Sequence, residues 1–185
     1  MHNMFLHVPG ERLSGAELSA ARLDGDVVEL GEAYAPADLV ETAALRIASL
    51  APLVRGMPGA AFAGMSAAWI HGAGDAPPAV HELQSATQRR LRGSSTWRVL
   101  VHDPALEPED VQRFGTLAVA TAERTLIDLL RWPSTVADRR PWALALARAD
   151  PGLAARAAIR LSQIARGPGR HRAERFLAEL IERQG

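Results

Sequence analysis

The eleven residues from Thr121 to Arg131 constrain the fold of this chain more than any other stretch. Thr121 is a suitable helix N-cap, and Arg124 and Asp128 then lie four positions apart, where a guanidinium and a carboxylate can meet. The other side carries an apolar stripe of Leu126, Ile127, Leu129 and Leu130. The pattern predicts a helix that packs on a sheet and is fixed there by a structural Arg124–Asp128 pair. Binding of an anion by Arg124 is the alternative.

A shorter helix signal lies upstream, where the chain reads Ser66-Ala-Ala-Trp-Ile-His-Gly72. The hydroxyl residue is placed to open a helical turn and the glycine to close it. We expect Trp69 to anchor the core and His71 to end the helix. Presentation of the His71-Gly72 loop to a partner is the alternative.

A chain of 185 residues is long enough for one domain with a buried core, or for one domain with a small appendage. The sequence has no cysteine, which excludes disulfides, thiolate metal sites and cysteine nucleophiles. No apolar run approaches the length that spans a bilayer, and the first residues lack the pattern of a signal peptide. We therefore expect a cytoplasmic protein without membrane contact.

All 21 cationic residues are arginine, a side chain that binds phosphate and carboxylate in a bidentate manner. The formal net charge is zero, but residues 1–60 hold four arginines against eight acidic residues, whereas residues 61–185 hold seventeen against thirteen. Proteins that bind DNA concentrate positive charge on one face. Such a face is expected in the C-terminal part of the chain.

Residues 1–36 are predicted to form a winged-helix remnant. Ser14 and Glu17 make a capping-box pattern before a helix over Gly15–Leu23, and two short strands follow at Val27–Leu30 and Ala33–Ala35. A complete winged helix needs further helices before these strands. The unit also carries acidic residues that would meet phosphates unfavourably, namely Asp24, Asp26, Glu29 and Glu32.

The rest of the chain is predicted to be a mixed α/β core at residues 37–132 and a C-terminal helical bundle at residues 133–185, so the fold class is α+β. In the core, a helix begins at Asp38 and short strands make a mainly antiparallel sheet with packed helices. These strands are 60–63, Val80–Ala86, Trp97–Val101, Val111–Phe114 and Leu117–Ala120. The bundle contains three predicted helices. The first is Asp138–Ala149, the second has Pro151 at its first position and continues through Leu153–Ala165, and the third is Arg170–Glu182.

Histidine and carboxylate residues are adjacent twice, as His81-Glu82 and His102-Asp103. A metal hydrolase could bring such residues together at strand ends. However, neither pair has the i, i+4 spacing of a helical zinc motif, and adjacent strand residues point to opposite faces. We expect no metal, no cofactor and no catalytic residue.

Two arginine-rich segments are the candidate contacts for an anionic partner. The loop with Arg89, Arg90 and Arg92 has no acidic neighbour between Ser85 and Val101. The turn at 167–169 leads into a helix whose free amides and dipole favour an anion, and it is surrounded by Arg166, Arg170, His171, Arg172 and Arg175. A solvated loop and a plain interhelical turn are the alternatives. In the N-terminal unit, Arg12 and Arg22 would contact DNA if the wing remnant still reads bases.

The order of these motifs resembles the AbiEi-type antitoxin and transcriptional-regulator family, in its actinobacterial branch. The similarity extends from about Leu13 to Leu180 and, besides the two helix motifs, covers Leu13–Gly25, Gly31-Glu-Ala-Tyr34, Asp110–Thr121 and Gly167–Ala173. The resemblance implies the antitoxin half of a type IV toxin–antitoxin pair. Such a protein represses its own operon and opposes a nucleotidyltransferase-like toxin without needing to bind it.

The resulting expectation is a non-enzymatic, antitoxin-like transcriptional regulator that binds operator DNA. The alternative is a protein-interaction module that has lost DNA binding, because the N-terminal unit is short and acidic. An enzyme is the third and most distant interpretation.

Overall fold

A five-stranded sheet and a fully buried helix organise the fold. The structure is a computed structural model, which describes residues 5–87, 89, 91, 97–103, 105–132, 138–164 and 167–184. Helices and strands both contribute to the core of this described part, which confirms the α+β class.

The N-terminal unit is a helix followed by a hairpin. Helix α1 spans Gly15–Asp24, and strands β1 (Val27–Leu30) and β2 (Ala33–Pro36) pair in antiparallel fashion. The capping box is present, since the Ser14 amide donates to Glu17 Oε2 over 2.8 Å and the Glu17 amide donates to Ser14 Oγ. The order matches the predicted one, and the winged-helix interpretation stays a prediction.

The main sheet has the strand order β5-β4-β3-β7-β6. Its strands are β3 (Ala60–Ala63), β4 (His81–Ser85), β5 (Val99–Val101), β6 (Val111–Phe114) and β7 (Leu117–Ala120). Strand β3 runs antiparallel to β4 but parallel to β7, while β4 and β5 are parallel and β6 and β7 antiparallel. The prediction of a mainly antiparallel sheet is therefore wrong, and the sheet is mixed. The parallel pairs are β4–β5 and β3–β7, and strand patterns do not reveal which strands become neighbours or in which direction they run.

Helix α3 (Gly64–Ile70) lies at the centre of the molecule, and all of its residues are buried. It contributes Ala67, Trp69 and Ile70 to a cluster with the sheet, and Met65 and Ala68 to a second cluster with the C-terminal helices. A helix with apolar residues on every face must be buried on every face. Trp69 is fully buried, as expected of a core anchor.

The second cluster joins four helices to α3. They are α4 (Ala122–Arg131), α5 (Arg140–Ala149), α6 (Leu153–Gln163) and α7 (Arg170–Gln184). Helix α4 begins at the Thr121 cap as predicted, since Thr121 Oγ1 accepts the amide of Arg124. Helix α4 thus belongs to the same core as the C-terminal helices.

Several predicted element starts are displaced. Helix α2 spans Ala43–Ser49 rather than beginning at Asp38, because the Thr42 hydroxyl caps it. Helix α3 begins at Gly64, so Ser66 does not open it.

In the remaining cases irregular backbone occupies positions that were predicted to be regular. Trp97 and Arg98 form a turn before β5, and α5 begins at Arg140 rather than Asp138. Pro151 also lies in a turn, and the left-handed Gly152 (φ +86°) then precedes α6.

Candidate functional site

Among the described residues, the arginines predicted to bind DNA lie in three separate segments: the N-terminal unit, the loop after β4 and the start of α7. Arg12 is exposed, and Arg22 lies 3.3 Å from the carboxylate of Glu29. Arg89 is exposed in the loop after β4. The predicted contacts Arg90, Arg92 and Arg166 lie outside the described residues.

The first turns of α7 bring the remaining predicted residues together. Arg170 Nε donates to Glu174 Oε1 over 2.7 Å, and the exposed His171 ring lies 3.3 Å from the same carboxylate group. Arg172 instead donates to the carbonyl oxygens of Leu130 (3.0 Å) and Arg131 (2.8 Å) at the end of α4. Carbonyl oxygens do not neutralise a guanidinium, so Arg172 keeps its charge while it caps α4.

A groove with a volume of about 490 Å³ lies between the end of α4, the start of α5 and the first half of α7. We call it the α7 groove. Its apolar part consists of Leu129, Leu130, Trp132 and Phe176. Its basic part consists of Arg139, Arg140, His171, Arg172 and Arg175, and its acidic residues are Asp138 and Glu179.

The charges of the groove are unequally compensated. Arg139 is buried and ion-paired with Glu82, and His171 is paired with Glu174. Within the described part of the chain, Arg140, Arg172 and Arg175 form no ion pair with a carboxylate. The guanidinium of Arg140 lies 5.1 Å over the ring of Phe176, a cation–π arrangement. The groove therefore combines an apolar floor with three guanidiniums that are not ion-paired within the described part of the chain.

Glu82 is the hub that holds the groove against the sheet. Its carboxylate accepts the amide of Met65 (2.7 Å), both terminal nitrogens of Arg139, and His102 Nε2 at 3.1 Å. Burial alone would raise the pKa of Glu82, but the hydrogen bonds from His102, Arg139 and the Met65 amide lower it to about 2. Glu82 is thus a buried anion whose carboxylate is stabilised by Arg139, His102 and the Met65 amide.

Trp132 contacts two of the residues that bind Glu82, namely His102 and Arg139. The His102 ring stacks on it with centroids 4.0 Å apart, and the Arg139 guanidinium lies 5.3 Å from its centroid. Arg139 Nε is buried and has no hydrogen-bond partner among the residues that the structure describes. Sequence reasoning missed Arg139 and Trp132, because the Arg139–Glu82 contact spans 57 positions and the Trp132 ring meets His102 and Arg139 only in the folded chain.

Ser66 and His81 form a buried pair beside this hub. Ser66 Oγ accepts the amide of Glu82 over 3.0 Å and lies 3.1 Å from His81 Nδ1. Burial lowers the pKa of His81 to about 4, so the ring is neutral near pH 7. Both side chains are almost completely inaccessible, so the pair is not placed to attack a substrate.

The Arg124–Asp128 pair is part of a larger buried network. Arg124 Nε donates to Asp128 Oδ2 and Arg124 Nη1 donates to Asp110 Oδ2, both over 2.8 Å. Arg160 of α6 completes it by donating to Asp110 Oδ1 over 2.7 Å. Burial raises the pKa of Asp128 to about 6 against the opposing effect of Arg124. With all its carboxylate contacts satisfied internally, Arg124 serves the fold, and Asp110 and Arg160 are partners that the sequence did not reveal.

The described residues contain no group of three or more His, Asp or Glu side chains placed to hold a metal ion. His71 points elsewhere, since its Nε2 lies 2.7 Å from the carbonyl oxygen of Ala120. Among the described helices, none is long and apolar enough to cross a bilayer. No protein-family model matches the chain, and no curated protein matches it.

Proposed function

We propose that this chain is a non-enzymatic, antitoxin-like regulatory protein that works by binding a protein partner through the α7 groove. One observation carries the proposal: the groove places around an apolar floor three arginines that form no ion pair within the described residues. Arginine and aromatic side chains are enriched at protein interfaces, where they surround or fill a desolvated centre. A phosphate backbone needs the cations but gains little from the apolar floor.

The placement of the predicted DNA contacts supports a protein ligand over operator DNA. Arg22 and Arg170 are paired with carboxylates, and Arg12 lies in the acidic N-terminal unit. DNA binding gains affinity from cations that release counterions together along one face. Cations already paired within the protein contribute less to that gain.

Operator DNA is the second candidate. It is favoured by Arg172, which donates to two carbonyl oxygens, and by the exposed Arg175 one turn further along α7. In this version the chain represses its own operon, as the family resemblance implies, and is paired in function with a nucleotidyltransferase-like toxin.

Two measurements on the full chain separate the candidates. The first is a mobility-shift titration against the DNA upstream of its own gene, repeated over a range of salt concentrations. DNA binding predicts a log–log salt slope of about −0.9 per phosphate contact, and removal of Arg172 and Arg175 together flattens the slope by about two. Substitution of Arg12 or Arg22 would alter sequence preference if the wing remnant reads bases.

The second measurement is co-expression with the product of the adjacent gene, followed by co-purification. A stable complex together with no DNA shift at low salt supports the protein-binding proposal. A specific DNA shift with no complex overturns it in favour of the operator-binding regulator.

A further inference from the structure

The face of α7 that lines the groove has the spacing of a helix-binding surface. His171, Arg172, Arg175, Phe176 and Glu179 line the groove and recur at intervals of three and four positions. Eight residues of α-helix rise about 12 Å along the axis. A second helix of two to three turns therefore matches the length of this face.

The charge of the groove changes along that face from basic to acidic. Arg172 and Arg175 lie toward the start of α7, Arg140 faces them from α5 over the ring of Phe176, and Glu179 lies toward the far end. Leu129 and Leu130 from the end of α4 complete the apolar floor. A ligand that is complementary to such a surface has carboxylates on both sides of an apolar stripe.

We infer that the α7 groove binds an amphipathic helix of a partner protein, whose apolar stripe packs on Phe176 and Trp132 and whose carboxylates pair with Arg140, Arg172 and Arg175. This inference rests on the proposed function and names the chemistry of its ligand. A helix is favoured over a strand because helix ends and a helix face line the groove, and an added strand needs an open sheet edge. Charge complementarity selects an acidic helix, since Glu179 and Asp138 offset only part of the arginine charge.

The test is a titration of the isotope-labelled full chain, followed by NMR, with two synthetic helical peptides of about 18 residues, long enough to be helical in isolation. Both carry leucine along one stripe, and they differ only in having glutamate or lysine on the flanks. We expect the glutamate peptide to shift, in a saturable way, the amides of residues 138–140 and 171–179 and the indole signal of Trp132. The lysine peptide should bind the wild-type chain at least about tenfold more weakly, because like charges facing each other across an interface are costly.

Substitutions locate the binding. Arg140→Glu with Arg175→Glu should weaken the glutamate peptide at least about tenfold and strengthen the lysine peptide, since the charge pairing is reversed. The matched control is Arg148→Glu with Arg183→Glu, which reverses two exposed arginines in the same two helices outside the groove. It should leave both peptides unchanged. Phe176→Ala should also weaken the glutamate peptide, and an unchanged spectrum elsewhere shows that the variant is folded.

Several results would overturn the inference. They are no saturable shift with the glutamate peptide, shifts outside the groove, or an equal loss in the Arg148 and Arg183 control. Shifts of the same amides that depend on protein concentration alone would assign the groove to a second copy of the chain. Binding of a short DNA duplex there that Phe176→Ala leaves unchanged would assign it to nucleic acid. If the adjacent gene product binds the wild-type chain but not the Arg140 and Arg175 variant, while the glutamate peptide causes no saturable shift, the acidic-helix inference fails but the proposed function stands.

Discussion

Arg124 Nε and Asp128 Oδ2 lie 2.8 Å apart, one helical turn from each other, and both side chains are buried. The guanidinium also binds Asp110, which Arg160 contacts as well, so Asp128 is the carboxylate that depends most on Arg124. A buried charge pair adds little net stability when intact, but removal of one partner leaves an uncompensated charge in the interior.

Arg124→Ala should therefore lower the free energy of unfolding at pH 8 by about 3 kcal/mol or more. Urea unfolding measures this value, and Arg148→Ala on the exposed face of α5 is the control. The loss should shrink at pH 5, because protonation of Asp128, whose pKa burial already raises to about 6, removes the unpaired charge. An equal loss at both pH values would contradict this account.

Gly64→Ala should be far more destabilising than Gly115→Ala, although both glycines have a similar positive φ (+51° and +62°). A Cβ atom on Gly64 would overlap the carboxylate of Glu82, whereas one on Gly115 meets nothing within 4 Å. The strain of a left-handed backbone costs about 1 kcal/mol in both variants. Displacing the Glu82 hub should cost about 3 kcal/mol beyond that. Equal melting temperatures for the two variants would argue that the hub adjusts freely.

His81→Gln should change the pH dependence of stability. The pKa of His81 is about 4 in the folded chain against 6.5 for the free side chain, so His81 contributes stability above pH 6.5 that is lost as pH falls toward 4. Between pH 7 and pH 5 this loss amounts to roughly 2 kcal/mol. The glutamine variant lacks it and should gain stability relative to wild type on acidification.

The comparison of the two proteins isolates His81 in this range. Asp128, whose pKa is raised, changes stability in the opposite direction in both proteins and cancels in the difference. Unfolding curves at several pH values provide the measurement. Parallel pH profiles for wild type and variant would show that His81 is not neutral in the folded chain.

Arg172→Ala and Arg175→Ala should differ in their effect on stability, because only Arg172 also contacts the end of α4. Arg172 donates to two carbonyl oxygens at the end of α4, and loss of these hydrogen bonds should cost about 1–2 kcal/mol. Arg175 is exposed on the groove, so its loss should leave the melting temperature unchanged. Differential scanning calorimetry tests both variants, and a stability loss in Arg175→Ala would give it a structural role as well.

Local patterns in the sequence were sufficient for elements whose signal lies within a few residues. The Thr121 cap, the Ser14–Glu17 capping box and the strand pair at Val111–Phe114 and Leu117–Ala120 are all present in the structure. The local pattern gave a wrong prediction where a hydroxyl could either cap a helix or bind a distant group. Ser66 does not open α3, because its hydroxyl receives the Glu82 amide and contacts His81.

The sequence by itself determined the α+β class and the position of Arg124 and Asp128 on one face of a helix, because period and i, i+4 spacing are properties of neighbouring residues. Only the tertiary structure decided which residues far apart in the sequence form ion pairs. Asp110 meets Arg160 across 50 positions, and Glu82 meets Arg139 across 57. The mixed direction of the strands and the groove between α4, α5 and α7 arise in the same way, because they depend on how elements pack and not on any one element's pattern.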